Sequence, residues 1–345
     1  MNSHRIVLNE QHGAIEMTKS IKALVIGASG FLGSHIVKEL TRQGYRVRIM
    51  VRASSNLDAL AGIEYEKAIG DVLNTPSLEA AMNGCDWVFH SAVDTRAWLF
   101  NSGPLYQTNV LGVVNAVNAA KACSIKKFIL TSSLVTVGRN PSGIADETCI
   151  PTEKDLFTDY MRTRFLAEKY ILDAFTESGF PAIACCVSNT YGADDLQPTP
   201  HGNLIKQVAY GRVPVYLKAK SECVGVVDAA QALILAAEKG REGERYIISE
   251  RYISNKALFT IAEKKAGLSR LIGGAPTSLV YLCTTVAGVF SRLFALDSVL
   301  TNNSAKLLYQ TWPLSNSKAK DELGWEPRPV HDSIEEAVDS YLAER

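Results

Sequence analysis

The chain has 345 residues, 47% of them hydrophobic, enough for a substantial buried core, and at ~150 residues per domain the length suggests about two domains. Lys and Arg together number 36, as do Asp and Glu, so the formal net charge is zero. This excludes a disordered chain and argues against a nucleic-acid partner, which needs a basic surplus to neutralise phosphates; the expected partner is a small molecule.

Residues 1–20 carry His4, Arg5, Glu10, His12 and Glu16 and lack the continuous apolar stretch of an export signal, so an N-terminal arm is expected there. Met17 stands just ahead of the first strand-like run, and residues 1–16 read equally as a leader, an upstream start or a disordered arm. From Lys22 short β-branched runs alternate with longer amphipathic segments. The pattern predicts strands over Lys22–Gly27, Arg46–Val51, Glu64–Ile69, Trp87–Ser91, Lys127–Ser132 and Ala182–Val187. Helices are expected between them at Phe31–Gln43, Ser77–Met82, Leu105–Cys123 and Asp155–Ser178, the first closed by Gly44 and the last by Gly179 and Pro181. Strands alternating with such helices predict an α/β fold, a doubly wound, Rossmann-type parallel sheet with right-handed crossovers. A first domain is expected over 21–190. Beyond Tyr191, Pro198, Pro200, Pro214, Pro276, Pro313, Pro327 and Pro329 punctuate shorter elements. Residues 191–345 are expected to form a smaller, mainly helical substrate-binding part, with segments at about 224–249, namely Val224–Asp228 and Arg245–Ser249, returning to the main sheet.

Within that part, Leu279–Phe290 is apolar but falls short of the ~20 residues that span a bilayer. A buried or pocket-lining helix is favoured, with peripheral membrane contact as the alternative. The cysteines, at 85, 123, 149, 185, 186, 223 and 283, are odd in number and show no metal-ligand spacing. Reduced thiols, no metal site and a cytoplasmic protein are expected.

The first strand runs into Gly27-Ala-Ser29-Gly30-Phe31-Leu32-Gly33, and a helix starts inside the motif. One glycine permits the tight turn, one the close approach of a pyrophosphate, and one close helix–strand packing, with the helix N-terminus facing the phosphates. In this strand–turn–helix context the motif indicates dinucleotide binding by the first domain. At the end of the second strand an acidic residue would accept from the ribose of NAD(H); here stand Arg52, Ser54 and Ser55, donors suited to a 2′-phosphate. NADP(H) is therefore favoured over NAD(H), against the plainer reading of Arg52 as a solvated surface charge. Asp71, followed by Val72, either accepts from the adenine amino group or simply forms a turn.

Several further runs accompany these: Val88-Phe-His-Ser-Ala92, Asn109-Val-Leu-Gly112, Thr131-Ser-Ser133, Tyr160-Met-Arg-Thr-Arg-Phe-Leu-Ala-Glu168, Asn189-Thr-Tyr-Gly192, Gly225-Val-Val-Asp228, Gly243-Glu-Arg-Tyr246 and Lys318-Ala…Glu322-Leu-Gly-Trp325. With the glycine motif and Gly70-Asp71, the chain from Ile21 onward resembles the extended short-chain dehydrogenase/reductase family, in its dihydroflavonol reductase and 3β-hydroxysteroid dehydrogenase-like branch. The resemblance implies catalysis by Ser133, which polarises the substrate oxygen, and by Tyr160, which gives or takes its proton. It implies cofactor contacts at Gly27, Ser29, Gly30, Phe31, Leu32, Gly33, Arg52, Ser55, Asp71, Val72, Ser91, Ala92, Thr131, Tyr160, Arg164, Val187 and Asn189. Where the family has a lysine four residues after the tyrosine, this chain has Arg164. Residues four apart share a helix face, so the cation can still stand beside the phenol, though a forked guanidinium is not a conservative replacement. Cys186-Val187 likewise replaces the Arg-Pro of many relatives.

The leading expectation is an NADP(H)-dependent oxidoreductase interconverting a ketone and a secondary alcohol on an apolar, polycyclic small molecule. The alternatives are an NAD-retaining sugar-nucleotide epimerase or dehydratase, and a non-catalytic NADP(H)-binding regulator. Asp94, Arg96, Trp98, Ser133 and Tyr191 lie beyond carboxyl ends of strands, where open α/β sheets bind ligands, and are the substrate-site candidates. His90 reads as a packing residue with a general-base role as its sharper alternative. Asn109 reads as a tie between helix and strand, with a water relay as its alternative. A homodimer is compatible with the family.

Overall fold

The computed structural model describes residues 20–99, 102–293, 302–309 and 311–345. The first half alternates as expected: β1 (Lys22–Ile26), α1 (Phe31–Arg42), β2 (Arg46–Val51), β3 (Glu66–Ile69), α2 (Thr75–Met82) and β4 (Trp87–His90). There follow α3 (Gly103–Tyr106), α4 (Gly112–Ala122), β5 (Lys127–Ser133), α5 (Asp159–Ser178) and β6 (Ala182–Val187). The second half adds β7 (Asn189–Tyr191), α6 (Pro200–Ala209), β8 (Val215–Leu217), β9 (Lys220–Gly225), α7 (Val226–Lys239), β10 (Arg245–Ile248), β11 (Arg251–Ser254), α8 (Asn255–Lys265) and β12 (Gly273–Ala275). Helices α9 (Thr277–Leu293), α10 (Asn302–Tyr309), α11 (Ser317–Leu323) and α12 (Val330–Ala343) complete it. The N-terminal arm expected over 1–20 lies, apart from Ser20, outside the described residues.

Seven parallel strands make the central sheet in the order β10-β6-β5-β4-β1-β2-β3. Strands β1, β4 and β6 are buried along their whole length because helices cover both faces, which is why their sequences read as continuous apolar runs. One face packs α1 and α7 over Val25, Ile49 and Phe89; the other packs α2, α4 and α5 over Leu24, Val88 and Phe128. From β1 the chain winds outward to β3 and then returns to β4, so the order reverses between β1 and β4. Ligands of open α/β sheets bind at such a switch point, beyond the carboxyl ends of the strands.

Of the two segments expected to rejoin this sheet, Arg245–Ile248 does so as its edge strand, beside β6. Val224 lies elsewhere: β9 pairs with β7 and antiparallel with β11 in a separate three-stranded sheet, and Val226 already starts α7. Helices α6, α8 and α12 close over that small sheet around Ile205, Leu258, Ile334 and Tyr341. The C-terminal strand and helices are tied back by the quoted motifs. Lys318 Nζ bonds Glu244 at 2.7 Å and lies over the Tyr246 ring, and Trp325 Nε1 donates to the Asp228 carbonyl at 2.9 Å.

One expected helix is not uniform. Leu105–Cys123 was to be a single α-helix, whereas α3 passes through a π turn at Gln107–Leu111 before α4 begins. The extra residue turns Asn109 inward, where it is fully buried.

Candidate active site

The glycine motif forms the turn from β1 into α1. Gly27 has φ +83°, and a Cβ there would stand 2.6 Å from the Ala92 nitrogen; a Cβ on Gly33 would stand 2.2 Å from the Gly27 carbonyl oxygen. Only glycine fits at either point. Gly30 opens α1 in an extended conformation without a side-chain cap, and the first turn carries no acidic residue. The free N–H groups and positive dipole end of that turn are thus uncompensated, as an anion site requires. The turn meets the end of β4, bringing Gly27, Ser91 and Ala92 together, and the Ser91 hydroxyl reaches the Thr131 hydroxyl of β5 at 2.5 Å.

At the next strand ends lies a second part of the site. An open groove of about 370 Å³ is lined by Arg52, Ala53, Ile69, Gly70, Asp71, Asn74 and Ser77. Arg52 is exposed, and among the described residues its guanidinium has no ion-pair partner. Asp71 accepts the Leu73 N–H at 2.8 Å and its own N–H donates to Ser77 Oγ at 3.1 Å, so it does form the turn and still faces the groove. Ser55 and Val72 are half-buried on the flanks.

Beyond β5, Ser133 ends the strand and begins a short 3₁₀ turn. Its oxygen accepts a long bond from Val135 N–H at 3.4 Å, which leaves its own O–H free to donate. Thr158 caps α5 by accepting from Met161 N–H, placing Tyr160 in the first turn of the helix, half-buried and with no hydrogen bond to its hydroxyl among the described residues. One turn on, Arg164 is only 3% exposed. It donates to the Thr131 carbonyl, its Nε lacks a partner, and no described carboxylate pairs with it. Helix α5 thus lies against β5 and its following turn, the elements that carry Thr131 and Ser133, and Arg164 bridges them at the Thr131 carbonyl.

Arg164 is also felt by His90, whose imidazole is fully buried at the end of β4 with neither ring nitrogen bonded. Burial, and then the Arg164 charge, push its pKa down to about 4. A neutral, unbonded ring that lies tilted against Phe128, with centroids 6.1 Å apart, is a packing group. The unfolded chain takes up this proton near pH 6.5 and the folded one only near 4, so stability is full above 6.5 and falls as pH drops between the two values. His90→Leu should flatten the slope of unfolding free energy against pH by up to about 1.4 kcal/mol per pH unit in that window, measured by urea unfolding.

The substrate-site candidates separate. Asp94 is held by Asn109, whose side chain accepts the Asp94 N–H at 2.8 Å and donates to its carbonyl at 3.0 Å. Asn109 therefore ties the π turn to the loop after β4, and its amide also reaches Thr163 Oγ1 at 3.3 Å. Asp94 pairs with Arg96 at 2.5 Å; burial would raise its pKa, and the hydrogen bonds and charge of Arg96 more than reverse that. Trp98 is half-buried on the same loop. Tyr191 belongs elsewhere: it is buried in the cluster of Ile205, Cys223, Leu258 and Tyr341, and burial followed by the neighbouring Cys223 pushes its phenol well up. It is a core residue and not a pocket wall. Val187 is buried at the end of β6 and Asn189 half-buried at the start of β7.

One buried network escaped the sequence. Glu168, a further turn along α5, accepts from Ser132 and from Thr136 Oγ1 at 2.6 Å and forms an ion pair with Arg245 Nε at 3.0 Å. Arg245 sits on β10 in register with Ala184. A cation thus reaches Glu168 from the strand next to β6, and Cys186 itself donates to the carboxylate at 3.3 Å. Burial, then the negative Glu168, push the Cys186 thiol up to about 12, which makes it inert. All seven cysteines are free, and among the described residues no cluster could hold a metal ion.

Residues 23–249 match the model of the NAD dependent epimerase/dehydratase family. A Synechocystis sp. protein named, provisionally, as a dihydroflavonol 4-reductase is 30% identical, the alignment covering 91% of this chain and 92% of the relative. Sterol demethylase protein B of Methylococcus capsulatus is 27% identical over 93% of this chain and 98% of the relative. The crystal structure of gox2253 superposes with a TM-score of 0.83 at 31% identity, covering 94% of this chain and 99% of that one. A glycine turn at the switch point of a seven-stranded parallel sheet, matched through most of the chain by these relatives, makes this protein an NAD(P)-dependent enzyme of the epimerase/dehydratase family, the extended short-chain dehydrogenase/reductases.

Proposed function

We propose that the protein is an NADP(H)-dependent oxidoreductase that interconverts a ketone and a secondary alcohol on an apolar, polycyclic small molecule. The observation that carries this reading is the set of uncompensated polar groups at the end of β5: two hydroxyls without strong partners and a buried guanidinium without an anion. Buried polar groups are normally satisfied, and those left over are what a bound substrate and cofactor would satisfy. The cradle at Gly27 and Gly33, the uncapped α1 and the Arg52 groove fit a dinucleotide with an extra phosphate.

When bound, the nicotinamide would supply or accept the hydride. In the direction of reduction Tyr160 gives its proton to the carbonyl oxygen, and Ser133 donates a hydrogen bond that holds this oxygen and steadies its developing charge. Arg164, one helical turn from Tyr160, stabilises the negative charge that the phenol acquires and can donate through its free Nε to a ribose hydroxyl. The sterol and reductase in the relatives' names support an apolar cyclic carbonyl or alcohol as substrate.

A panel of steroid, flavonoid, quinone and aryl ketones tests the reading by NADPH oxidation, with turnover of at least one class expected. No turnover across the panel, or tightly retained NAD⁺ with saturable binding of a nucleotide sugar, would overturn it. For the cofactor, Arg52→Ala should weaken NADP(H) binding by about 10- to 100-fold and leave NAD(H) binding unchanged, read by fluorescence titration. Equal loss for both cofactors would sink the 2′-phosphate assignment.

A further inference from the structure

The charge of this chain is balanced in total but not along its length. Between Leu196 and Ser221 the formally charged side chains are Lys206, Arg212, Lys218 and Lys220; between Lys264 and Leu296 they are Lys264, Lys265, Arg270 and Arg292. Neither stretch holds an acid. The fold joins them: β8 pairs with β12, the Ile272 N–H donates to the Pro214 carbonyl at 2.8 Å, Arg270 lies beside Gly211, and Lys218 lies beside Gly274. Glu344 neutralises Lys206 at 2.7 Å and Asp339 neutralises Lys265 at 2.8 Å. Glu263 is buried and engaged by the backbone N–H groups of Arg270 and Leu271. Arg212, Lys218 and Arg270 have no ion-pair partner among the described residues.

From this basic edge the chain enters α9, whose amphipathic character is inverted. Tyr281 faces inward and stacks on Tyr309 of α10 at 6.0 Å, and Thr284 is buried. Leu279, Leu282, Cys283 and Val286, at the spacing that lines up along one helix face, point to solvent. Leu279 is 51% exposed, Leu282 61% and Val286 60%, while Ile272 at the base of the helix is 83% exposed. The helix expected to be buried or to line a pocket therefore presents its apolar side outward. Among the described residues no helix is long and apolar enough to cross a membrane.

We propose that this face docks on an anionic lipid surface. Helix α9 lies in the plane of the headgroups with Leu279, Leu282 and Val286 in the acyl boundary, and Lys218, Arg270 and Arg212 meet the lipid anions. An apolar stripe that follows directly on a strand pair flanked by the unpaired Arg212, Lys218 and Arg270 complements a surface that is negative and fluid. A second copy of this chain would bring the same cations to a two-fold interface and repel. The inference is independent of the chemistry at β5; it would let an apolar ligand reach the enzyme from lipid.

Vesicle flotation of the full chain tests it, with phosphatidylcholine alone and with phosphatidylcholine mixed with phosphatidylserine, at low and high salt. Binding is expected only to the mixed vesicles and only at low salt. Lys218→Gln and Arg270→Gln should each weaken it by about fivefold, and Leu282→Ser with Val286→Ser should abolish it, with thermal melting unchanged. Absence of binding, equal binding to both vesicle compositions, or indifference to the two charge substitutions would overturn the proposal. So would a self-association, seen by sedimentation, that the double serine variant dissolves. Should that variant fail to fold, the two surface charge variants decide the question alone.

Discussion

Tyr160→Phe is expected to lower kcat by about 10²- to 10⁴-fold while NADP(H) affinity stays within a few-fold of wild type. The substitution deletes only a hydroxyl that has no hydrogen-bond partner among the described residues, so the helix start, fixed by the Thr158 cap, is not disturbed. All of the loss then belongs to proton transfer. Stopped-flow mixing with a turned-over ketone separates the effect on chemistry from that on binding. A variant that kept a tenth or more of its rate would remove Tyr160 from the mechanism. Arg164 supplies the companion test. Arg164→Ala should cost rate and cofactor affinity together, because the same guanidinium serves the phenol's charge and the ribose. Arg164→Lys should retain measurable activity, since an ammonium preserves the charge though not the fork. Wild type without turnover on any substrate, with no gain in Arg164→Lys, would leave a binding protein in place of an enzyme with a substituted cation.

Glu168→Ala is expected to destabilise the fold by about 3–5 kcal/mol, read as a shift in the urea midpoint. The carboxylate is buried with Arg245, and Ser132, Thr136 and Cys186 all donate to it. Removing it leaves an uncompensated guanidinium and strands the Ser132 and Cys186 donors, while Thr136 Oγ1 can still donate to the Ser133 carbonyl at 2.8 Å; the loss costs far more than the pair itself contributes. Arg245→Met in the same background should recover part of the loss, because the second substitution removes the orphaned charge. A single Glu168→Ala variant within 1 kcal/mol of wild type would show that the network is solvated and not buried.

The parallel sheet and the glycine turn from β1 into α1 were legible in sequence because each is carried by a local signal: period and length for strands and helices, glycine spacing for the turn. Bounds shifted by a few residues at ends where capping decides, as at Thr158, which starts α5 later than the periodicity suggested. What could not be read depends on contacts between distant segments. The π turn around Asn109 leaves no mark in an apolar pattern that is still helical, and its reason is a loop held from the side. Tyr191 stood beyond a strand end and so looked available to a ligand, but α6 and α12 close over it. Glu168 could have been suspected from its place on the same face as Tyr160 and Arg164, whereas its partner lies on a strand from the other half of the chain. The outward face of α9 was hidden for a similar reason: periodicity shows that a helix has an apolar side and not which way that side turns.

The edge strand β10 has one more consequence, for synthesis. It is the last strand to join the sheet, and it brings the only cation that the buried Glu168 meets among the described residues. At about 5–20 residues per second, the ribosome makes Arg245 several seconds after Glu168. During that interval the nascent first half holds Glu168 with its hydroxyl and thiol donors but without its cation. The buried network around Glu168 is therefore completed only when β10, the last strand of the sheet to be made, pairs with β6.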